Sequence, residues 1–315
     1  MDYRGTQSAR RQSWHGTKRY AKRVLSWRVP HFLLRTAVER GAFATTKGRL
    51  PAPASLREVN GRVGSAEFVM LRPDRCEIAK ELYWGGGKRP RPEDDLALNL
   101  FATLARDADL ALDIGAYTGV FTLVAARINE SIEVQAFEIV PAVYKALFDN
   151  CVRNGILHQV TLHHTGLGKP GTFATVPVGT GGSALPSFYS AGMTFTSGVK
   201  VRIDALDDLG GCVRSSGGVV MKIDVEGGEL DVVTHGQRFL RERRPHILCE
   251  VLAESGSDTQ LTQVLDPLEY NYYLVRERDL VHYNSIEASP RFRDWLITHL
   301  MPSELRDLEV PVARS

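Results

Sequence analysis

Residues 110–123 read Leu110-Ala-Leu-Asp-Ile-Gly-Ala-Tyr-Thr-Gly-Val-Phe-Thr-Leu123. An apolar run ends at Asp113, Gly115 and Gly119 bracket a tight bend, and a second apolar run follows with helical spacing. This predicts strand, turn and helix, the opening unit of a parallel α/β sheet. In such sheets ligands bind at the carboxyl ends of the strands, where the strand order reverses. Glycine in the bend lets backbone approach a ligand with no Cβ in the way. The spacing is Asp-x-Gly-x-x-x-Gly, not the Gly-x-Gly-x-x-Gly of dinucleotide sites. A carboxylate at Asp113 would oppose a pyrophosphate and would suit a cationic amino group.

The pattern continues outward. A strand over 132–137 ends at Phe137-Glu138, and a helix is expected over 141–153. Glu138 follows Asp113 by one strand–helix–strand unit. An acid at this place accepts hydrogen bonds from ribose hydroxyls. Further strands are expected over 159–164, 199–203, 219–224 and 246–251, with one helix over 229–241. Upstream, 66–71 reads as a strand, 76–83 as a short helix and 94–108 as a longer one.

The stretch Met221-Lys-Ile-Asp-Val-Glu-Gly-Gly-Glu-Leu-Asp231 ends a strand in four carboxylates, Asp224, Glu226, Glu229 and Asp231. Clustered acids raise one another's pKa unless a cation or a donor compensates. Such a group suits a general base, a divalent metal or hydrogen bonds to sugar hydroxyls. The bland alternative, strongest for Asp231, is an acidic helix N-terminus favoured by the dipole. The stretch 179–198, rich in Gly, Ser and Thr and carrying Phe188, Tyr189 and Phe195, suits an acceptor-binding flap or a plain surface loop.

Composition narrows the class. The chain has 315 residues, 43% of them hydrophobic, enough for one large core with an appendage. It has no long apolar run and no apolar leader at its start. The four cysteines form no CxxC pair, so a structural zinc site is not expected and the thiols read as those of a reducing compartment. The net charge of +2 conceals an asymmetry: residues 1–60 carry 13 Lys and Arg against 3 Asp and Glu. Such an arm suits an anionic partner, a membrane surface or the acidic body itself. Helical spacing around Phe32, Leu33 and Leu34 allows docking on the body or an amphipathic element lying on a membrane.

At this point the sequence resembles the FkbM family of S-adenosyl-methionine-dependent methyltransferases. The stretches that carry the likeness are LALDIGAYTGVFTLVAA, QAFEIVPAVYKALFDNCVRNG, VRIDALDDL, VMKIDVEGGELDVVTHG and RPHILCEV, in that order over about 95–255. The resemblance implies a class I methyltransferase domain: a Rossmann-like, mostly parallel seven-stranded sheet with helices on both faces. It also implies O-methylation of a sugar or natural-product hydroxyl. Carried over, Asp113, Gly115, Ala116 and Gly119 would hold the methionine part of the cofactor. Glu138 would hold the ribose, Ile139 would pack on the adenine, and Asp224, Glu226 and Glu229 would face cofactor and acceptor. Ile139 stands where the family often has Pro, and Gly228 where Ala is commoner.

The expected organisation is a basic extension over 1–60, partly disordered or helical, a catalytic domain over 61–300 with its core at 95–255, and a tail over 301–315. Methyl transfer is an in-line displacement that depends on alignment, and a hydroxyl acceptor must also lose its proton. Asp224 or Glu226 is the expected orienting or deprotonating group, with His164 and His235 as weaker bases. A divalent metal stays open. The expected partner is a small-molecule or glycan acceptor, in a cytoplasmic protein whose basic arm leaves peripheral membrane contact open. A nicotinamide-dependent dehydrogenase fits poorly without the third glycine. A nucleic-acid-directed enzyme or binding module lacks an Asn-Pro-Pro-Tyr motif and an aromatic basic stripe. A non-catalytic scaffold would not need Asp113, Glu138 and Asp224 together.

Overall fold

The computed structural model describes residues 28–40, 50–176, 198–211, 217–253 and 255–313. All but the last residue of the expected flap over 179–198, and most of the basic arm, lie outside the described residues.

The N-terminal part begins with α1 (Arg28–Glu39), followed by the hairpin β1 (Glu58–Val63) and β2 (Ala66–Leu71). Then come α2 (Glu77–Gly85) and α3 (Pro92–Ala105). The central run is β3 (Leu110–Ile114), α4 (Val120–Ile128), β4 (Glu133–Phe137), α5 (Pro141–Asn154) and β5 (Val160–His163). After β6 (Gly166–Leu167), β7 (Thr172–Val176) and β8 (Val199–Asp204), the main pattern resumes. It runs through β9 (Val219–Ile223), α6 (Glu229–Thr234), α7 (Gln237–Arg243), β10 (His246–Glu250) and α8 (Asp258–Leu265). The chain closes with β11 (Asn271–Val275), β12 (Leu280–Tyr283), β13 (Asp294–Thr298) and α9 (Pro302–Asp307).

The main sheet has the order β12-β11-β13-β10-β9-β3-β4-β5. The five strands from β10 to β5 are parallel, and β13 runs antiparallel to both β10 and β11. This is the Rossmann-like class I arrangement, with eight strands where seven are expected. The additional strand is β12, which folds back on β11 as an antiparallel hairpin. Arg276 and Asp279 pair across its turn.

Strand alternation divides the core. Leu110, Leu112 and Ile114 of β3 enter the layer beneath α6, α7 and α8. Ala111 enters the opposite layer, with the apolar faces of α3, α4 and α5. Successive side chains point to opposite faces, so Asp113 must project with Ala111. The order reverses between β3 and β9, and this junction is tightly closed. A Cβ on Gly115, whose φ is +83°, would collide with the Asp224 carbonyl oxygen.

Two sequence expectations need correction. Val199–Asp204 is not a strand of the main sheet. It pairs with β6 and β7 in a small three-stranded sheet. Its burial alternates, Val201 inside with Lys200 and Arg202 outside, whereas the central strands are buried on both faces. The single helix expected over 229–241 is two, broken at His235-Gly236, where Leu206 packs within 2.5 Å of any Cβ on Gly236.

The hairpin β1–β2 is stitched to α5 by side-chain amides. Asn154 Oδ1 accepts the Val69 N–H at 2.9 Å, and its Nδ2 donates to the Val69 carbonyl at 2.7 Å. Asn150 Oδ1 accepts the Leu71 N–H, while its Nδ2 donates to the Thr118 carbonyl. At the end of the chain, Leu305 and Val310 are buried against the sheet layer. On α1, Leu34 is buried while Phe32 and Leu33 are 68% and 65% exposed. Among the described residues no helix is long and apolar enough to cross a membrane.

Candidate active site

A cavity of about 620 Å³ opens above the carboxyl ends of β3, β4, β9 and β10. That volume lies within the range of small-molecule sites. Six of the eight expected site residues line it: Gly115, Ala116, Glu138, Ile139, Asp224 and Glu226. Asp113 and Gly119 do not.

The floor is the bend after β3. The Gly115 and Ala116 N–H groups donate to the Phe137 carbonyl at 3.0 and 2.8 Å, tying the bend to the end of β4. Glu138 is 7% exposed. Its Oε2 accepts the Tyr117 N–H at 2.9 Å and its Oε1 the Val140 N–H at 2.7 Å. Burial pushes this carboxyl up to about 7, against the pull of those N–H donors. The carboxylate is turned toward the bend rather than away from it. The fit to an adenosyl ligand rests on that set of groups: an acceptor acid beside the backbone of the bend, with Ile139, Gly166 and Leu167 forming the apolar wall next to it.

Asp113 belongs to the fold. It is 1% exposed, and its Oδ2 accepts both the N–H of Thr122 at 2.9 Å and its hydroxyl at 2.6 Å. Period-two alternation aims it at the first turn of α4, and it does not line the cavity. Burial pushes its carboxyl up to about 6. Gly119 has φ +90° and caps α4, and a Cβ there would collide with Leu147 Cδ1. Its role is helix packing against α5.

The loop after β9 is likewise held from below. Glu229 is fully buried, and its Oε1 accepts the N–H groups of Val225 at 3.2 Å and Gly227 at 3.0 Å. It shapes the loop and does not line the cavity, contrary to the expectation that it faces cofactor and acceptor. Glu226 does line it, in a left-handed conformation with φ 57°. Tyr117, on the facing bend, has φ 51°. Non-glycine residues hold such a conformation only where the surroundings over-determine it, and these two share one cavity. Burial, and then the Asp224 charge, raises the Glu226 carboxyl. Asp231 also lines the cavity, while His164 and His235 do not. His164 Nε2 lies 3.2 Å from the Ile139 carbonyl, and His235 Nδ1 lies 2.9 Å from the Asp231 carbonyl. Neither is placed as a base.

Sequence reasoning missed the far wall. Lys222 is 2% exposed, and its Nζ lies 2.8 Å from Asp294 Oδ1, 3.8 Å from Asp224 Oδ2 and 5.5 Å from the Phe121 ring centre. Glu250 ends β10 and meets Arg293 Nη1 at 3.3 Å. Burial and the Asp224 charge push the Glu250 carboxyl up to about 9. Arg89, from the loop between α2 and α3, is clasped by Glu81 and Asp94 at 2.8 and 2.9 Å. Glu250 could have been found by the rule that singled out Glu138 and Asp224, an acid just after an apolar parallel strand. Lys222 inside an apolar run, and Asp294 at the start of an antiparallel strand, give no such signal. Among the described residues no group of three or more His, Cys, Asp or Glu is disposed to hold a metal ion.

The chain matches the model of the methyltransferase FkbM domain over residues 113–275, just over half its length. No curated protein matches it. Among solved structures it is similar to a methyltransferase FkbM from Methylobacillus flagellatus KT, at 18% identity and a TM-score of 0.40. That match covers 61% of this chain and 43% of the other, so the chain spans less than half of that relative. A precorrin-6y C5,15-methyltransferase from Geobacter metallireducens GS-15 matches at 13% identity and a TM-score of 0.34, covering 63% of this chain and 85% of that one. An O-methyltransferase from Bacillus cereus, solved in complex with SAH, matches at 12% identity and a TM-score of 0.37, covering 64% and 78%.

Proposed function

The chain belongs to the FkbM methyltransferase family, whose members depend on S-adenosyl-methionine, and on that premise we propose that it O-methylates a sugar or natural-product hydroxyl. The observation that carries this reading is Glu138 fixed to the Tyr117 N–H of the bend, in the cavity that Asp224 and Glu226 also line. S-adenosyl-methionine, when bound, supplies an activated methyl group. Glu138 would accept the ribose hydroxyls, Ile139 would cover the adenine, and the Gly115–Ala116 backbone would hold the methionine part.

Asp224 and Glu226 orient the acceptor through hydrogen bonds to its hydroxyls. Holding a hydroxyl oxygen in line removes much of the barrier to displacement. The charged lining suits a polyhydroxylated acceptor, whose many donors and acceptors such a wall can satisfy. The decisive experiment is a thermal shift with S-adenosyl-homocysteine, followed by a screen of glycosides and hydroxylated natural products with and without a chelator. Stabilisation and transfer to a hydroxyl are expected. Absence of stabilisation ends the reading, and transfer to nitrogen or carbon alone ends its O-specific part.

The exposed Phe32 and Leu33 of α1, beside a basic arm, support a peripheral role at an anionic membrane. Co-sedimentation with anionic but not zwitterionic vesicles is the expected result. Equal recovery with both, or with neither, removes this part of the reading.

A further inference from the structure

Strand alternation gathers four charged residues onto one face of the sheet. Leu248 of β10 and Leu296 of β13 enter the core layer shared with α3 and α4. Their partners Ile247, Cys249, Trp295 and Ile297 enter the opposite layer. Glu250 and Asp294, two residues from Leu248 and Leu296, therefore project with them. Lys222 and Asp224 follow Val220 of that same layer by the same rule. Register then sets them side by side. Ile223 pairs with Cys249, which places Asp224 beside Glu250, and Glu250 pairs directly with Asp294.

The result is a row of three carboxylates, Asp224, Glu250 and Asp294, along the rim of the cavity. Lys222 Nζ lies against both outer members, at 3.8 and 2.8 Å. The central member has Arg293 at 3.3 Å. In the direct contacts of the row, three carboxylates share two cations, Lys222 and Arg293, in a partly buried place. Such an excess favours retention of one proton, and the middle acid, flanked by carboxylates on both sides, is where it costs least. Other charged groups act on the row from the elements packed against it: Asp113 of β3 and Glu229 of α6 on Asp224, Glu226 on the loop after β9, and Arg89, itself clasped by Glu81 and Asp94, on Asp294.

Resting on the O-methylation reading above, we propose that Glu250 is the proton-exchanging catalytic residue of this pocket and that Lys222 is the positioning residue that fixes the row around it. In the step, the acceptor O–H bond breaks and its proton binds a Glu250 carboxylate oxygen. The freed electron pair forms the new O–CH3 bond while the methyl–sulfur bond breaks, its pair going to sulfur. Glu250 then returns the proton to solvent. A carboxylate surrounded by like charge is a stronger base than an ordinary one once ionised. Raised in this way by burial and Asp224, Glu250 becomes competent as the pH rises above neutrality.

The test is carbon-13 NMR of the full chain labelled at the glutamate carboxyl carbon, with Glu250→Gln assigning the resonance. The Glu250 signal is expected to titrate above neutral pH. Asp224→Asn removes a flanking charge and should move the midpoint down by about one pH unit or more. Arg293→Gln, on the exposed side, should move it up. A Glu250 midpoint in the ordinary carboxylate range, or one that Asp224→Asn leaves in place, overturns the proposal. On any methyl glycoside that accepts a labelled methyl group, Glu250→Gln should lower kcat at least a hundredfold with KM kept, and an unchanged kcat also overturns it. Calorimetry with S-adenosyl-homocysteine on the same samples separates the two levels. If the homocysteine compound fails to bind the parent chain, the methyltransferase reading falls. If it binds and Glu250 titrates ordinarily, this inference alone falls.

Discussion

The Glu138 carboxylate accepts the Tyr117 N–H at 2.9 Å, so the acid after one strand and the bend after its neighbour are fixed as a unit before any ligand arrives. Because burial pushes this carboxyl up to about 7, its charge state changes in an accessible range. The ionised form is the better acceptor for two hydroxyl donors. Affinity for S-adenosyl-homocysteine should therefore rise as the pH climbs through about 7. Glu138→Gln should bind roughly tenfold or more weakly, as expected for losing hydrogen bonds to a charged group, and with a flat profile. Calorimetry from mildly acidic to mildly alkaline pH checks this, and a flat profile in the parent chain refutes it.

The same burial has a cost in the ligand-free protein. Asp113 and Glu138 have folded values of about 6 and about 7, above their ordinary 3.8 and 4.5. The folded state then binds more protons than the unfolded chain between those limits. Their contribution is fully present below the unfolded values and is lost as pH rises through the folded ones. Stability should fall between about pH 4 and 7, by up to a few kcal/mol on the order set by the linkage relation. Urea midpoints across that range measure it. Asp113→Asn should make the slope shallower, and an unaltered slope would exclude Asp113 as a source.

The two glycines of the bend should respond differently to one added methyl. At Gly115 a Cβ meets the Asp224 carbonyl oxygen, a backbone atom that cannot give way, at φ +83°. Gly115→Ala should cost roughly 3 kcal/mol or more, from strain and overpacking together, and abolish nucleoside binding. At Gly119 the obstacle is the tip of the Leu147 side chain, which can rotate aside. Gly119→Ala should keep the fold at a loss of about 1–3 kcal/mol. Denaturation midpoints of the pair decide it, and equal losses would contradict the difference.

Glu229 is a test of the loop after β9. Its carboxylate takes the N–H groups of Val225 and Gly227, and among the described residues no backbone carbonyl takes them. Glu229→Ala should release Glu226 from its left-handed conformation. Hydrogen exchange over 224–229 should accelerate while β9 itself stays protected. No change in exchange there would show that the loop holds itself.

What was legible in the sequence was local. The alternation of apolar strand and helix, the Gly115–Gly119 bend and the acids at Glu138 and Asp224 each follow from residues a few places apart. Even so, the burial of Asp113 against α4 was not legible. Its position in the alternation was available, but its partner Thr122 is set by how α4 settles on β3. The antiparallel end of the sheet was hidden for a different reason. The pairing of β10 with β13 joins residues more than forty positions apart, and nothing in Lys222 names Asp294 as its counterpart. The far wall of the cavity is thus a product of register, which sequence spacing does not encode.

The amide clasp between Asn154 and Val69 bears on how these molecules behave toward one another. Among the described residues strand β2 has one neighbour, β1, and its outer side would otherwise offer hydrogen-bonding groups to any passing extended chain. Asn154 and Asn150 consume the N–H of Val69, the N–H of Leu71 and the carbonyl of Val69. A two-stranded ribbon is thereby closed off without a third strand, and loss of either asparagine would leave a sticky border through which copies could polymerise.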